Sequence, residues 1–233
     1  MIMALSASYV DKKAETAKRK KFMFTDRKDA GLKLARALAE YRRTDAVVLA
    51  IPRGGVEVGF HVAKQLDLGF SIIVSRKLPF PNDPEAGFGA VSEDGSTFIR
   101  DDASSWITEE AIRRIVEEQK EEVRRRISAL RQGKPLPDIG GKRVILVDDG
   151  IAMGSTMRVS IETCRNRGAG SVVVAVPVAG ERTLREFTRL ADRIVALEIP
   201  RFFRAVAQVY EHWYDVPDSE VLRFLSAYPP ENT

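Results

Sequence analysis

Val144-Ile145-Leu146-Val147-Asp148-Asp149-Gly150-Ile151-Ala152-Met153-Gly154-Ser155-Thr156 decides how the chain is read. Four consecutive apolar residues predict a strand buried on both faces. The strand ends in two adjacent acids. A short loop of small and hydroxyl residues follows, and the spacing predicts a helix from Met157 to Arg167. Ligands of open α/β sheets sit at the carboxyl ends of strands. A helix N-terminus offers free N–H groups and a positive dipole end, which suit a phosphate. Gly154 lets the backbone come close, and Ser155 and Thr156 add hydroxyl donors. Two carboxylates would repel a phosphate, so Asp148 and Asp149 make sense holding sugar hydroxyls or a divalent cation beside it. A phosphorylated sugar supplies both ends of that arrangement. The plainer reading is a strand ending in two solvated acids before a Ser-capped helix.

The alternation continues on both sides. Upstream, Phe24 to Tyr41 reads as a helix, with Ala30, Leu34, Ala37, Leu38 and Tyr41 near helical spacing. Ala46 to Ile51 reads as a buried strand, Pro52-Arg53-Gly54-Gly55 breaks it, Val56 to Leu66 looks helical, and Phe70 to Val74 is a second strand. Strand, helix, strand predicts a parallel sheet. Arg76 to Asp102 is rich in Pro, Gly, Asn and Asp, and is expected to be mostly loop with a hairpin around Asp94-Gly95. A long helix follows. Thr108 caps it, Ile112, Ile115, Val116, Val123, Ile127 and Leu130 trace one face, and Gly133 with two prolines ends it. Downstream, Val172 to Val176 and Arg193 to Leu197 read as strands around a helix from Glu181 to Leu190. Pro200 to Tyr214 is aromatic and irregular, and a short helix begins near Asp218. The fold class is α/β, a doubly wound, mainly parallel sheet.

At 233 residues the chain fits one large α/β domain with appendages. No apolar run is as long as a membrane span, and the first residues lack the flanks of a signal peptide. The lone Cys164 cannot form an internal disulfide, which points to a reducing cytoplasm. Net charge is +4, with much of the excess in Lys12, Lys13, Lys18, Arg19, Lys20 and Lys21. A solvated tail is favoured over a nucleic-acid arm, because no aromatic residues interleave the cations for base stacking. His61 is expected to be a packed or surface histidine, Cys164 a core residue, and Arg124-Arg125-Arg126 the solvated face of the long helix.

The segment from Val144 to Thr156 resembles the motif of type I phosphoribosyltransferases that binds 5-phosphoribosyl-1-pyrophosphate (PRPP): strand, two acids, then a loop close to Thr-Gly-Gly-Thr. Met153 stands where a Thr is usual, and Ser155 where a Gly is frequent. Pro52-Arg53-Gly54-Gly55 resembles the pyrophosphate loop of purine and xanthine phosphoribosyltransferases, with Arg53 a permanent cation able to grip bidentately. Ser75-Arg76-Lys77-Leu78-Pro79 resembles the Arg-Lys pair that family members place against the pyrophosphate, at the start of a mobile loop that would include or adjoin Pro84 to Val91. Together with Gly87-Phe88-Gly89-Ala90-Val91, these segments are most similar to a broad group of phosphoribosyltransferases without an assigned base. The resemblance runs from about Phe24 to Tyr214.

The resemblance implies Mg2+-dependent transfer of a phosphoribosyl group from PRPP to a nitrogen base. Asp148, Asp149, Arg53 and Lys77 would be catalytic. Arg53, Gly54, Gly55, Arg76 and Lys77 would hold the pyrophosphate, and Ala152, Met153, Gly154, Ser155 and Thr156 the 5-phosphate. Asp148 and Asp149 would meet the ribose hydroxyls or the metal, directly or through water. Some purine enzymes carry a general base where Ala152 stands, so a purine acceptor served in that way is not expected. It also implies a basic tail over 1–22, a core over 23–198 with a helical insertion at 104–133, and a C-terminal hood and tail over 199–233. His212 lies near that hood. The insertion is expected to be a packing helix or a dimer surface, and the protein a homodimer without membrane or nucleic-acid partners. The alternative is a PRPP- or ribose-phosphate-binding regulatory module without transferase activity, which Met153 and Ala152 favour. A ribose-phosphate hydrolase on the same scaffold is a third reading.

Overall fold

A computed structural model describes residues 22–228. The basic run from Lys12 to Lys21 lies outside the described residues. The continuous apolar runs become the parallel sheet. It consists of β1 (Val47–Ala50), β2 (Gly69–Ile72), β6 (Arg143–Val147), β7 (Ser171–Val178) and β8 (Arg193–Glu198), in the order β2-β1-β6-β7-β8. The register sets Val47 to Ala50 against Val144 to Val147. The Ile51 N–H extends that ladder by donating to the Val147 carbonyl at 2.9 Å. The two central strands therefore end level, and the loops after them lie side by side. Strand order runs outward in opposite directions from this pair, so their carboxyl ends form the switch point where open α/β sheets place ligands.

Helices cover both faces. α1 (Arg27–Ala37) and α2 (Gly54–Leu66) pack with Val48, Ala50 and Ile145. α4 (Ser155–Asn166) and α5 (Glu181–Phe187) pack with Val47, Leu49 and Leu146. Successive strand residues point to opposite faces, which is why each central strand is apolar throughout. α6 (Asp218–Ser226) lies against α2 through Phe224 and Phe60, whose ring centroids are 5.0 Å apart.

Several boundaries differ from expectation. α1 starts at Arg27 rather than Phe24, because Asp26 caps it by accepting from the Asp29 N–H. Phe24 instead bridges to Tyr210 near the C-terminus, and Ala39–Tyr41 closes α1 as a 3-10 turn. α4 opens at Ser155, two residues earlier than its apolar spacing suggests, and α5 stops at Phe187.

The larger correction concerns Arg76 to Asp102. It is mainly a second, antiparallel sheet of β3 (Ser75–Phe80), β4 (Asp83–Ser92) and β5 (Thr97–Ile99), with the hairpin at Asp94-Gly95 as expected. Its glycines mark close strand contact, not loop. A Cβ on Gly89 would stand 2.1 Å from the Phe98 carbonyl oxygen, and one on Gly87 2.5 Å from the Lys77 side chain. The hairpin is fastened to α4, where Asp94 accepts from the Thr163 hydroxyl at 2.7 Å and the Asn166 amide at 3.0 Å.

α3 (Glu109–Arg131) packs on this sheet. The Thr108 hydroxyl accepts from the Ala111 N–H, and Ile115, Val123 and Leu130 are buried, as their spacing predicts. Near its end, Arg131 donates to the Ile72 carbonyl and pairs with the buried Glu93.

Candidate active site

The site begins where β6 ends. Asp148 follows Val147, and its carboxylate accepts from the Asp149 N–H at 2.8 Å. Gly150 passes so close to β7 and the C-terminal segment that a Cβ would stand 2.7 Å from both Val178 and Val206. The Ile151 N–H donates to the Val178 carbonyl, and the Thr183 hydroxyl of α5 donates to the Ala152 carbonyl at 3.0 Å. Gly154 takes φ +82°, the left-handed region, with its α-carbon against the Phe187 ring. The turn is thus pinned from β7 and α5 before α4 opens at Ser155 with its amides unused at the N-terminus.

A cleft of about 240 Å³ lies over this turn. Asp148, Gly150, Ile151, Ala152, Met153, Gly154, Ser155, Thr156 and Met157 line one side, and Lys77, Gly87 and Val206 contribute the rest. An acid at a strand end, a helix N-terminus and a lysine from the second sheet therefore share one space. The Met153 side chain is not core, since the residue is 53% exposed. Burial, and then the charge of Asp149, push the Asp148 carboxyl well above the usual carboxylate range.

The remaining expected residues are placed differently. Arg76 and Lys77 are neighbours on β3 and so face opposite sides of it. Lys77 turns to the cleft, while Arg76 turns to α3, where its Nε donates to Gln119 at 3.2 Å. Burial, and then the nearby Arg126, hold the Arg76 guanidinium below its ordinary value. Arg126 itself is mostly buried on α3 and pairs with Glu122, unlike the exposed Arg124 and Arg125. Only part of that arginine run is the solvated face expected of it. Arg53 follows a cis peptide bond, and its guanidinium lies 3.7 Å from the Asp218 carboxylate at the start of α6.

Gly54 and Gly55 make their close contacts with the two acids. A Cβ on Gly55 would stand 2.8 Å from the Asp148 α-carbon, and one on Gly54 would stand 1.8 Å from Asp149 Oδ2. The glycine pair lets the start of α2 lie directly against the end of β6. Asp149 is 8% exposed and turns away from the cleft to Arg27, whose Nε lies 2.9 Å from Oδ2. Arg27 also donates to the Tyr214 carbonyl at 3.0 Å and lies 4.1 Å from the centre of the Trp213 ring. The Tyr210 hydroxyl donates to the Asp149 carbonyl at 2.8 Å.

Sequence reasoning missed Arg27 and Thr183. A signal for Arg27 was present. Positions 27, 30, 31 and 34 form the buried stripe of α1, so a charged residue on that stripe requires a buried partner. His61 is half-buried on α2 beside Phe60 and Phe224, Cys164 is buried in the core, and His212 is exposed. None of the three enters the cleft.

The chain is similar to known proteins along most of its length. Residues 23–211 match the family model described as "Phosphoribosyl transferase domain". A Mycobacterium tuberculosis protein named "Putative phosphoribosyl transferase Rv0571c" is 38% identical over 205 residues, which is 87% of this chain and 46% of that protein. The chain thus spans about half the length of that relative. The crystal structure of TT1426 from Thermus thermophilus is 35% identical, with a TM-score of 0.72 over 87% of this chain and 97% of that one. The AQ2163 protein of Aquifex aeolicus, 12% identical with a TM-score of 0.50 over 90% of this chain and 92% of that one, shares the fold.

Proposed function

The chain belongs to the phosphoribosyl transferase domain family, and from that premise we propose that it binds PRPP with Mg2+ and transfers the phosphoribosyl group to a nitrogen base. The bond from the sugar's anomeric carbon to the pyrophosphate oxygen breaks, a bond from that carbon to the base nitrogen forms, and pyrophosphate leaves. One observation carries this reading: Asp148, residues 153–156 at the start of α4 and Lys77 line the same cleft. The start of α4 receives the 5-phosphate, through backbone N–H groups and the Ser155 and Thr156 hydroxyls. Asp148 meets the ribose hydroxyls. Lys77, with Arg53 further out, stabilises the charge that develops on pyrophosphate.

The acids suit a magnesium ion that shares its coordination with the ligand. Among the described residues no group of three or more His, Cys, Asp or Glu could hold a metal. Mg2+ commonly takes one or two carboxylates, substrate phosphates and water. Asp148 would be its carboxylate here, with Asp149 behind it. When bound, the ion supplies positive charge beside the pyrophosphate oxygens.

The same proposal sets the reaction in the cytoplasm, in a homodimer, with 23–198 as the core and 199–233 as the hood. Among the described residues no helix is long and apolar enough to cross a membrane. A second reading, a regulatory module that holds PRPP without transfer, is favoured by the cleft lining. Asp148 is its one acid, and Ala152 offers no carboxylate as general base. Pyrophosphate release, measured with PRPP, Mg2+ and a panel of bases, separates the two. Base-dependent release supports the transferase. Binding without release supports the module, release without any base a hydrolase, and absence of binding refutes the PRPP site.

A further inference from the structure

Arg27 lies outside the strand-end motifs, yet the acid pair after β6, the Tyr214 backbone and the Trp213 ring all meet at it. Its Nε holds the Asp149 carboxylate, its NH1 holds the Tyr214 carbonyl, and the face of its guanidinium lies on Trp213. It is 3% exposed, so water cannot replace these partners. Behind the carboxylate stands the backbone of Gly54, with no room even for a methyl group. Tyr210 ties the same acid from its other side, through the Asp149 carbonyl. Asp149 therefore cannot shift without moving Arg27, and Arg27 cannot shift without disturbing Trp213 and Tyr214. Only a planar fork satisfies this arrangement, with one edge on the carboxylate, another on the carbonyl and a face on the indole.

We propose that Arg27 is a positioning residue that links occupancy of the cleft at Asp148, through the adjoining Asp149, to the placement of the C-terminal segment from Tyr210 to Tyr214. The inference rests on the PRPP reading above. Ligand groups drawn to Asp148 reach the adjoining acid, and the arginine passes the change to the C-terminal segment that it holds. A residue that merely staples the segment to the core would hold Trp213 alike with and without ligand.

The test uses the full chain carrying Trp106→Phe. Trp106 is 74% exposed, and its removal leaves Trp213 as the one tryptophan of two. Mg2+-PRPP is titrated, with calorimetry and Trp213 emission read in parallel. The parent is expected to change its emission along the binding isotherm. Arg27→Gln is expected to weaken binding by about tenfold or more and to abolish the emission change. Arg27→Lys keeps the charge without the fork, and should recover part of the affinity but not the emission change. If Arg27→Gln does not fold, Arg27→Lys and Trp213→Leu carry the test, each expected to weaken binding by about threefold or more. Saturation of the parent without any change at Trp213 overturns the inference, as does affinity within twofold of the parent in the folded variants. Either result leaves the PRPP reading standing. A parent that gives no heat with Mg2+-PRPP overturns that reading, and this inference with it.

Discussion

Arg27 and Asp149, 122 residues apart in sequence, form a buried ion pair with Nε 2.9 Å from Oδ2. Breaking a buried pair by removing one partner leaves an uncompensated charge, at a cost of about 3–5 kcal/mol. Asp149→Asn and Arg27→Met are each expected to lower the unfolding free energy by that order. The double variant should lose less than the two together, because the pair acts as a unit. Urea denaturation of the three variants measures this, and strict additivity would show that the pair does not couple.

Asp148 should behave differently. It is partly exposed, lines the cleft and has no cationic partner like that of Asp149. Asp148→Asn is expected to leave thermal stability unchanged or raised while weakening PRPP by about tenfold or more, on the order of 1.4 kcal/mol. Calorimetry and a melting curve on the same sample decide it. Intact affinity would remove Asp148 from the ribose end of the site.

Met153 stands where the resemblance to a Thr-Gly-Gly-Thr loop implies a hydroxyl, and its side chain is free to be exchanged because it is exposed. A hydrogen bond to a charged group contributes roughly 1.5–3 kcal/mol. Met153→Thr is therefore expected to tighten ribose 5-phosphate and PRPP by similar factors, since both carry the same phosphate. Tightening of PRPP alone would place the new hydroxyl at the pyrophosphate instead.

His61 predicts an acid sensitivity unconnected with the cleft. Burial, followed by the charges of Lys28 and Lys64, depresses its pKa from 6.5 to about 4. Between those values the unfolded chain binds a proton that the folded chain refuses, so stability falls as pH drops through that window. After discounting for solvent screening the effect is about 1 kcal/mol. Unfolding by urea at pH 7 and pH 4.5 should show a smaller acid loss in His61→Gln than in the parent. Equal losses would assign the acid sensitivity to other groups.

Much of the fold was legible locally. Val47 to Ala50, Val144 to Val147 and Val172 to Val176 are apolar without alternation, because covering helices bury both faces. The loop at Gly154 was legible because few residues other than glycine take its backbone angle. The antiparallel sheet was hidden for a related reason. Gly87 and Gly89 signal a turn in isolation, and it is pairing with Pro79, Leu78 and Ile99 that makes them strand residues.

The sequence by itself determined the parallel sheet, the capped long helix and the acid-to-helix turn after β6. Each follows from side-chain period or backbone freedom within a few residues. Only the tertiary structure decided which residues share the cleft. It set Lys77 inside and Arg76 outside, turned Asp149 away to Arg27, and sent Arg53 toward Asp218. The physical reason is that a charge chooses its partner by distance and burial, and those depend on strand register and on packing between segments far apart in the chain.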